Sequence, residues 1–389
     1  LQHAYPHYYQ RPDADHVNLD PDATTMNGWS GRFMVNKEKG NLLVNAAVGM
    51  VSPGFDSQDM GFQWGGDIIN SHIMLGYAKH KPGKLFRNWN VLVFTQRNYD
   101  FGWNKTGEQR LIFIGEVKFL NNWTSYFQMS LNPEFQDNQL TRGGPLTLSL
   151  PHNWYEASVG TDSRKAFVLN FFGHYLNSNS GTYRYIGGLD LEWKPAGNFN
   201  ITLSPSYDYR YNVAQWITNV EDGLQSDTYG TRHVFGEIDQ KTLSCSIRLN
   251  WIFTPKMSLQ AYIQPFIAVG AYKNFKELAS PGTFDFNRYG DGLSTIAYDG
   301  ESYMIDPDGS GSAPGFSFEN PDFNYKSLRG TVVFRWEYRP GSTFFAVWTQ
   351  NRADHADPGD FRFGRDFSNL IGAPGDNIFM IKFTYRFKI

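Results

Sequence analysis

The run Asp306-Pro307-Asp308-Gly309-Ser310-Gly311-Ser312 holds the residues best spaced for chemistry. Side-chain oxygens at alternate positions, on Asp306, Asp308, Ser310 and Ser312, can wrap one hard cation, and calcium takes such ligands. Gly311 is expected to permit the sharp turn. The match to an EF-hand loop is incomplete, because its closing position is Ser317 rather than Glu, with Glu319 close by. Asp299, Glu301 and Asp322 could add oxygens. The plainer reading is a polar Gly/Ser/Pro loop. Acidic clusters at Asp13, Asp15, Asp20 and Asp22 and at Asp354, Asp357 and Asp360 stand beside His16 and His355. Such clusters are usually solvated loop charge.

Other chemistry is poorly supported. The chain has no Gly-x-Ser-x-Gly, no His-Glu-x-x-His and no phosphate-binding glycine loop, so no enzyme is expected. The one cysteine, Cys245, excludes an internal disulfide and a cysteine-based metal site. A net charge of −3 with scattered Lys and Arg argues against nucleic acid as a partner. What stands out is a second set of charges, Arg184, Asp190, Glu192, Arg210, Arg248, Arg335, Glu337, Lys382 and Arg386. All fall on the polar parity of alternating segments. Such residues facing an open lumen set the field felt by a solute. In a narrow or plugged lumen they pair with one another.

The elements that carry these charges are strands. From Asn377, one parity reads Phe379, Ile381, Phe383, Tyr385, Phe387 and Ile389, against Met380, Lys382, Thr384, Arg386 and Lys388. A period of two is the strand signature. The pattern recurs at Phe199 to Val213, Thr242 to Phe253, Met257 to Ala271, Arg329 to Pro340 and Tyr183 to Lys194. Soluble sandwiches also alternate. Here charge sits in mid-strand, and the strands exceed the roughly 5–6 residues typical of globular sheets. No run of about 18 apolar residues exists to form a membrane helix. The expected fold is all-β, a transmembrane antiparallel β-barrel of outer-membrane type with about 14–16 or more strands.

Fifteen strands are expected at 29–38, 41–51, 67–79, 86–100, 105–120, 123–136, 153–162, 167–178, 182–195, 198–214, 235–254, 257–273, 325–339, 342–352 and 376–389. Tight turns such as Lys81-Pro82-Gly83 and Pro340-Gly341 alternate with long links at 53–66, 138–152, 221–231, 276–323 and 355–372. Short periplasmic turns and long extracellular loops are the habit of such barrels. Single-chain barrels normally have an even strand number, so residues 1–28 are expected to be an extracellular loop that follows at least one strand further upstream. Residues 29–389 then form the barrel. The opening Leu1-Gln2-His3 lacks a basic and then apolar leader, which implies a removed leader or more chain upstream.

Several segments together resemble an uncharacterised family of bacterial outer-membrane barrel proteins. They are His7-Tyr8-Tyr9-Gln10-Arg11-Pro12-Asp13-Ala14-Asp15-His16, Ser52-Pro53-Gly54-Phe55, Arg142-Gly143-Gly144-Pro145, Tyr229 to Gln240, Phe253-Thr254-Pro255, and Asn320-Pro321-Asp322-Phe323 to Ser342. Members of that family carry an N-terminal domain similar to family-9 carbohydrate-binding modules. The resemblance covers the C-terminal barrel part only. It implies a bacterial outer-membrane location, with the lipid bilayer and lipopolysaccharide as surroundings and saccharides or other outer-membrane proteins as candidate partners. The leading functional expectation is a pore or transport component. The alternative is a plugged barrel that anchors a binding domain or assembles with other outer-membrane proteins. The long loop 276–323, with Leu278, Phe284, Phe286, Tyr289 and Phe316, is apolar enough to plug the interior or to make an outside contact.

Overall fold

Alternation over 389 residues produces one very large antiparallel sheet. A computed structural model describes residues 2–4, 7–63, 65–356 and 358–387. Leu1, Asp357, Lys388 and Ile389, named above, lie outside the described residues. In chain order the elements are β1 (Ser30–Lys37), β2 (Leu42–Val51), β3 (Ile68–Lys79), β4 (Phe86–Tyr99), β5 (Arg110–Phe119), β6 (Thr124–Asn132), β7 (Phe135–Asp137), β8 (Thr147–Ser149), β9 (His152–Gly160), β10 (Phe167–Ser178) and β11 (Tyr183–Ala196). They continue as β12 (Phe199–Glu221), β13 (Thr231–Thr254), β14 (Met257–Leu278), β15 (Phe286–Arg288), β16 (Thr295–Tyr298), β17 (Ser302–Asp306), β18 (Phe316–Glu319), β19 (Phe323–Arg339), β20 (Ser342–Ala356), α1 (Phe363–Gly372) and β21 (Gly375–Thr384).

Each of the fifteen expected strands has its counterpart in the path β1-β2-β3-β4-β5-β6-β9-β10-β11-β12-β13-β14-β19-β20-β21. Every pairing along it is antiparallel, and β15 pairs with β14 at the side. The expected closed ring is not formed. The path begins at β1 and ends at β21, and the two do not pair. Both are exposed along their whole length. An odd number of alternating strands makes the first and last run in the same direction, so these edges cannot join each other antiparallel.

The register is staggered. One cross-strand row runs Val44, Leu75, Val93, Phe113, Met129, Tyr155, Tyr175, Tyr185, Tyr209, Lys241, Val269, Asn324. It starts at Val44, near the short-turn end of β2, and ends near the long-loop end of β19. Strands displaced steadily along their axes in this way are tilted relative to the row, the relation that also governs curved sheets.

Several boundaries differ from expectation. β12, β13 and β14 run past the expected ends to Glu221, from Thr231 and to Leu278, and form a tall projection held on both faces. Val234 packs with Phe275, Tyr289 and Ile305, while the next residue, Phe235, packs with Ala214 and Leu278. Consecutive strand residues point to opposite faces. The segment expected as one loop therefore divides. Phe284 and Phe286 join the Phe235 side, and Phe316 joins the Val234 side through a three-stranded sheet of β16, β17 and β18. β21 stops at Thr384, short of the expected 389. The link 355–372, expected as a loop, contains α1.

Candidate functional site

The two faces of the sheet differ in chemistry. Large strand residues left exposed include Phe33, Leu75, Val93, Phe113, Phe127, Phe171, Trp193, Trp251, Trp336 and Phe379. All share the face defined by the row above. Near the short-turn ends, that face carries linked aromatic rings: Trp193, Phe199, Trp251 and Phe253 in succession, with Trp336 beside Tyr338. Toward the loop ends it carries tyrosines, with Tyr175 stacked on Tyr185 at 4.8 Å and on Tyr155 at 6.1 Å. Along β13 the same parity then turns from Leu243 to Lys241 and Asp239. An apolar band is thus bounded on β13, and Cys245 lies within it as a free thiol.

The opposite face carries the charges singled out from sequence. The Arg184 guanidinium donates to both Asp208 carboxylate oxygens, at 2.9 and 2.5 Å. Arg210 faces Arg184 across the strand pair. Glu192 accepts from Lys194 at 2.7 Å and from Asn200 at 2.5 Å, and Asp190 accepts from Asn170 at 3.3 Å. Arg335 donates to Glu337 at 3.5 Å. Arg248 stands over the Tyr262 ring at 5.3 Å. Phe172 covers the backbone of Gly188, where any Cβ would meet its ring. Lys382 shares a register row with Arg335 through Phe345 and is exposed. Arg386 lies beyond β21, with its side chain over Gly341 and its N–H on Ser342 Oγ at 3.0 Å. Sequence reading placed these groups on one parity. It did not single out Asp208 or Lys194 as partners, although both share that parity.

The polar face is overlaid at its loop end. Among its described residues the segment before β1 has no strand, and it is tied down at many points. His7 Nδ1 is 2.8 Å from the Pro53 carbonyl, and His7 Nε2 is 3.3 Å from Asp56. The Gln58 N–H and His7 together hold the Asp56 carboxyl below its ordinary value. Asp13 accepts the Leu146 N–H at 2.5 Å. The Leu148 N–H and Gly282 N–H tie the 146–148 segment to the 282–283 segment. Arg142 lies over Trp216 at 4.0 Å, and the Asn219 amide donates to the Thr141 carbonyl at 3.0 Å. The Arg142-Gly143-Gly144-Pro145 run makes this packing possible. A Cβ on Gly144 would meet the His233 ring at 2.1 Å, and one on Gly143 would meet Gln10 at 2.3 Å. A cleft of about 660 Å³ remains beneath, with Arg32, Asn70, Gln96 and Asn98 of the polar face among its walls and His7 above.

Two places hold oxygen or nitrogen ligands as a cation site would. Among the described residues, one group of three His or acid ligands converges: His16, Asp67 and Asp100, with ligand atoms within 4.8 Å of one another. Sequence gave no signal for it, because His16 and Asp67 are 51 residues apart. Those atoms are already used. His16 Nε2 is 2.7 Å from Asp67 Oδ2, Asn104 donates twice to Asp100, and Arg11 stands 3.9 Å from Asp100. A guanidinium beside the acids replaces a metal rather than inviting one, so the group reads as a buried pin for the N-terminal segment. In the 306–312 loop, Asp306 accepts the Gly309 N–H at 2.8 Å and Asp308 accepts the Ala313 N–H at 3.0 Å. Ser310 and Ser312 are exposed. The left-handed residue is Gly309, at φ 69°, and not Gly311. At Gly311 the Asp308 carboxylate occupies the place a Cβ would take. The two carboxylates thus brace the turn, and the four proposed ligands are not gathered around one point by these bonds.

Beyond the pin lies a buried ion network. Arg232 donates to Asp222 and to both Glu277 oxygens, each at 2.7 Å, and Tyr289 donates to Glu277 at 2.8 Å. It locks the β13–β14 projection to the loop that follows.

No curated protein matches the chain. One family does, over residues 7–387, from the buried His7 of the N-terminal segment to the residues just past β21. The chain therefore belongs to the family described as a domain of unknown function, DUF5916.

Proposed function

We propose that this sheet is the wall of a transmembrane β-barrel in the bacterial outer membrane, acting as a polar-lined conduit with a loop-covered mouth. The observation that carries this reading is the exposed apolar face bounded by aromatic rings, set against a face of paired charges. From Leu243 to Phe253 the band spans ~34 Å along β13 at roughly 3.4 Å per residue. At a tilt of about 40° that is ~26 Å, close to the apolar height of such barrels. A large exposed apolar face on a soluble sheet would invite aggregation; against lipid it is satisfied. Short turns then face the periplasm and long loops the cell exterior, where lipopolysaccharide forms the surroundings. Mixed charge signs on the polar face favour neutral polar solutes such as saccharides over selected ions.

The interlocked mouth favours a second reading, a plugged barrel that anchors or assembles with other outer-membrane proteins. Single-channel conductance of the full chain in planar bilayers separates the two. Steady conductance of the unaltered chain supports the conduit. Conductance only after Asp13→Ala and Gly144→Val unlock the mouth supports the plugged anchor. Silence in both forms sinks the conduit.

A further inference from the structure

The helix α1 sits on the apolar face, at the end of the band. Its Leu370 is fully buried against Ile267 and Val269 of β14 and Leu328 of β19, with Phe361 beside them. Those strand residues belong to the apolar parity. Level with Ile267 and Val269 on that parity, β19 carries Lys326 and Asn324, and β20 turns from Trp348 to Gln350 and Arg352. The helix therefore lies across the boundary where the band gives way to polar side chains. Its seat is built. Asp366, with no exposed surface, accepts from Asn324 at 3.2 Å, from Arg365 at 2.8 Å and from the Arg362 N–H at 2.8 Å. At the far end Arg352 donates to the carbonyls of Ile371 and Ala373, satisfying orphan groups of a helix C-terminus.

Only one side of the helix is used by that seat. Phe363, Phe367 and Ile371, spaced four apart, form a second stripe that is 56%, 43% and 47% exposed. Phe363 and Phe367 stack on each other at 5.6 Å rather than on the sheet. Residues four apart share one helix face. The polar residues Ser368 and Asn369 point elsewhere.

We infer that α1 is an interfacial helix, whose Phe363, Phe367 and Ile371 enter the headgroup and acyl boundary, on the long-loop side, of the bilayer that the apolar band spans. The inference rests on the membrane reading proposed above and adds a separate contact to it. The occupant is lipid because the helix that bears the stripe is seated through Leu370 on the band's own face, at its margin. Amphipathic helices with aromatic and aliphatic residues on one face settle at that depth. Arg362, exposed beside the stripe, is already paired with the Asp360 carboxylate at 2.7 Å, so the apolar stripe and not a free cation carries the contact.

The test uses spin labels on the full chain, reconstituted in phosphatidylethanolamine/phosphatidylglycerol vesicles with Cys245→Ser as background. One label goes on Phe367→Cys, one on Phe127→Cys in the band and one on Asn369→Cys. Collision rates with oxygen and with a nickel chelate report depth. The expected result is an oxygen-to-nickel ratio that is highest at 127, intermediate at 367 and lowest at 369. A lipid-exposed label at 127 with a water-exposed label at 367 overturns the helix inference and leaves the membrane wall standing. A label at 367 shielded from both reagents also overturns it, and assigns the stripe to a second copy or another protein. Water exposure at both 127 and 367 overturns both readings.

Discussion

Asp366 shows how a single carboxylate can hold an element in place. Burial alone would raise its pKa, but hydrogen bonds from Arg365, the Arg362 N–H and Asn324 outweigh that cost and leave it below the ordinary 3.8. A carboxyl depressed on folding stabilises above its unfolded value, and that stabilisation is lost as pH falls through the folded value. The seat of α1 should therefore be unchanged from neutrality down to about pH 4 and loosen below it. A spin label at Ser368→Cys checks this, being ordered at neutral pH and mobile in acid, while Asp366→Asn should be mobile at neutral pH already. A label equally ordered throughout would mean that Leu370 packing alone seats the helix. Nothing in the sequence isolated Asp366, because the three donors that select it come from α1, its N-terminal neighbour and a strand forty-two residues away. The same distance in sequence hid the His16, Asp67 and Asp100 pin, whereas Arg248 and Arg335 were legible from parity alone.

At the scale of elements, the long strands were legible and the short ones were not. A period of two over ten or more residues is hard to produce by chance, and all fifteen strands of the path were placed by it. β7, β8 and β15, at three residues each, are too short to show any period. Helix α1 carried its signal in Phe363, Phe367 and Ile371, but the flanking acids and glycines read as loop. The strand faces make an asymmetric prediction. Val93→Arg puts a charge on the apolar face in mid-strand, and should cost ~2–4 kcal/mol near a bilayer midplane. Gln96→Arg, three residues on and facing the cleft, should cost less than about 1 kcal/mol. Urea titration of the protein refolded into vesicles measures both. Equal costs for the two would remove the distinction between the faces on which the membrane reading depends.

For the whole molecule the unresolved mechanical demand is at the edges. β1 and β21 present unpaired backbone groups along exposed strands. In water such edges hydrogen-bond to solvent; in hydrocarbon each unpaired group costs several kcal/mol, so only closed sheets span membranes. The edges run in the same direction, so one added strand, antiparallel to both, would complete a sixteen-membered ring of the even kind expected of single-chain barrels. If the wall lies in a bilayer, something must fill that place, and the amides of β1 and β21 must then be as protected as those of β12 and β13. Hydrogen exchange of the full chain in vesicles decides it. Protection of Ile378 to Phe383 matching that of Leu243 to Phe253 is the expected outcome. Rapid exchange of β21 alongside slow exchange of β13 would mean an edge open to water, which a membrane-spanning wall cannot sustain.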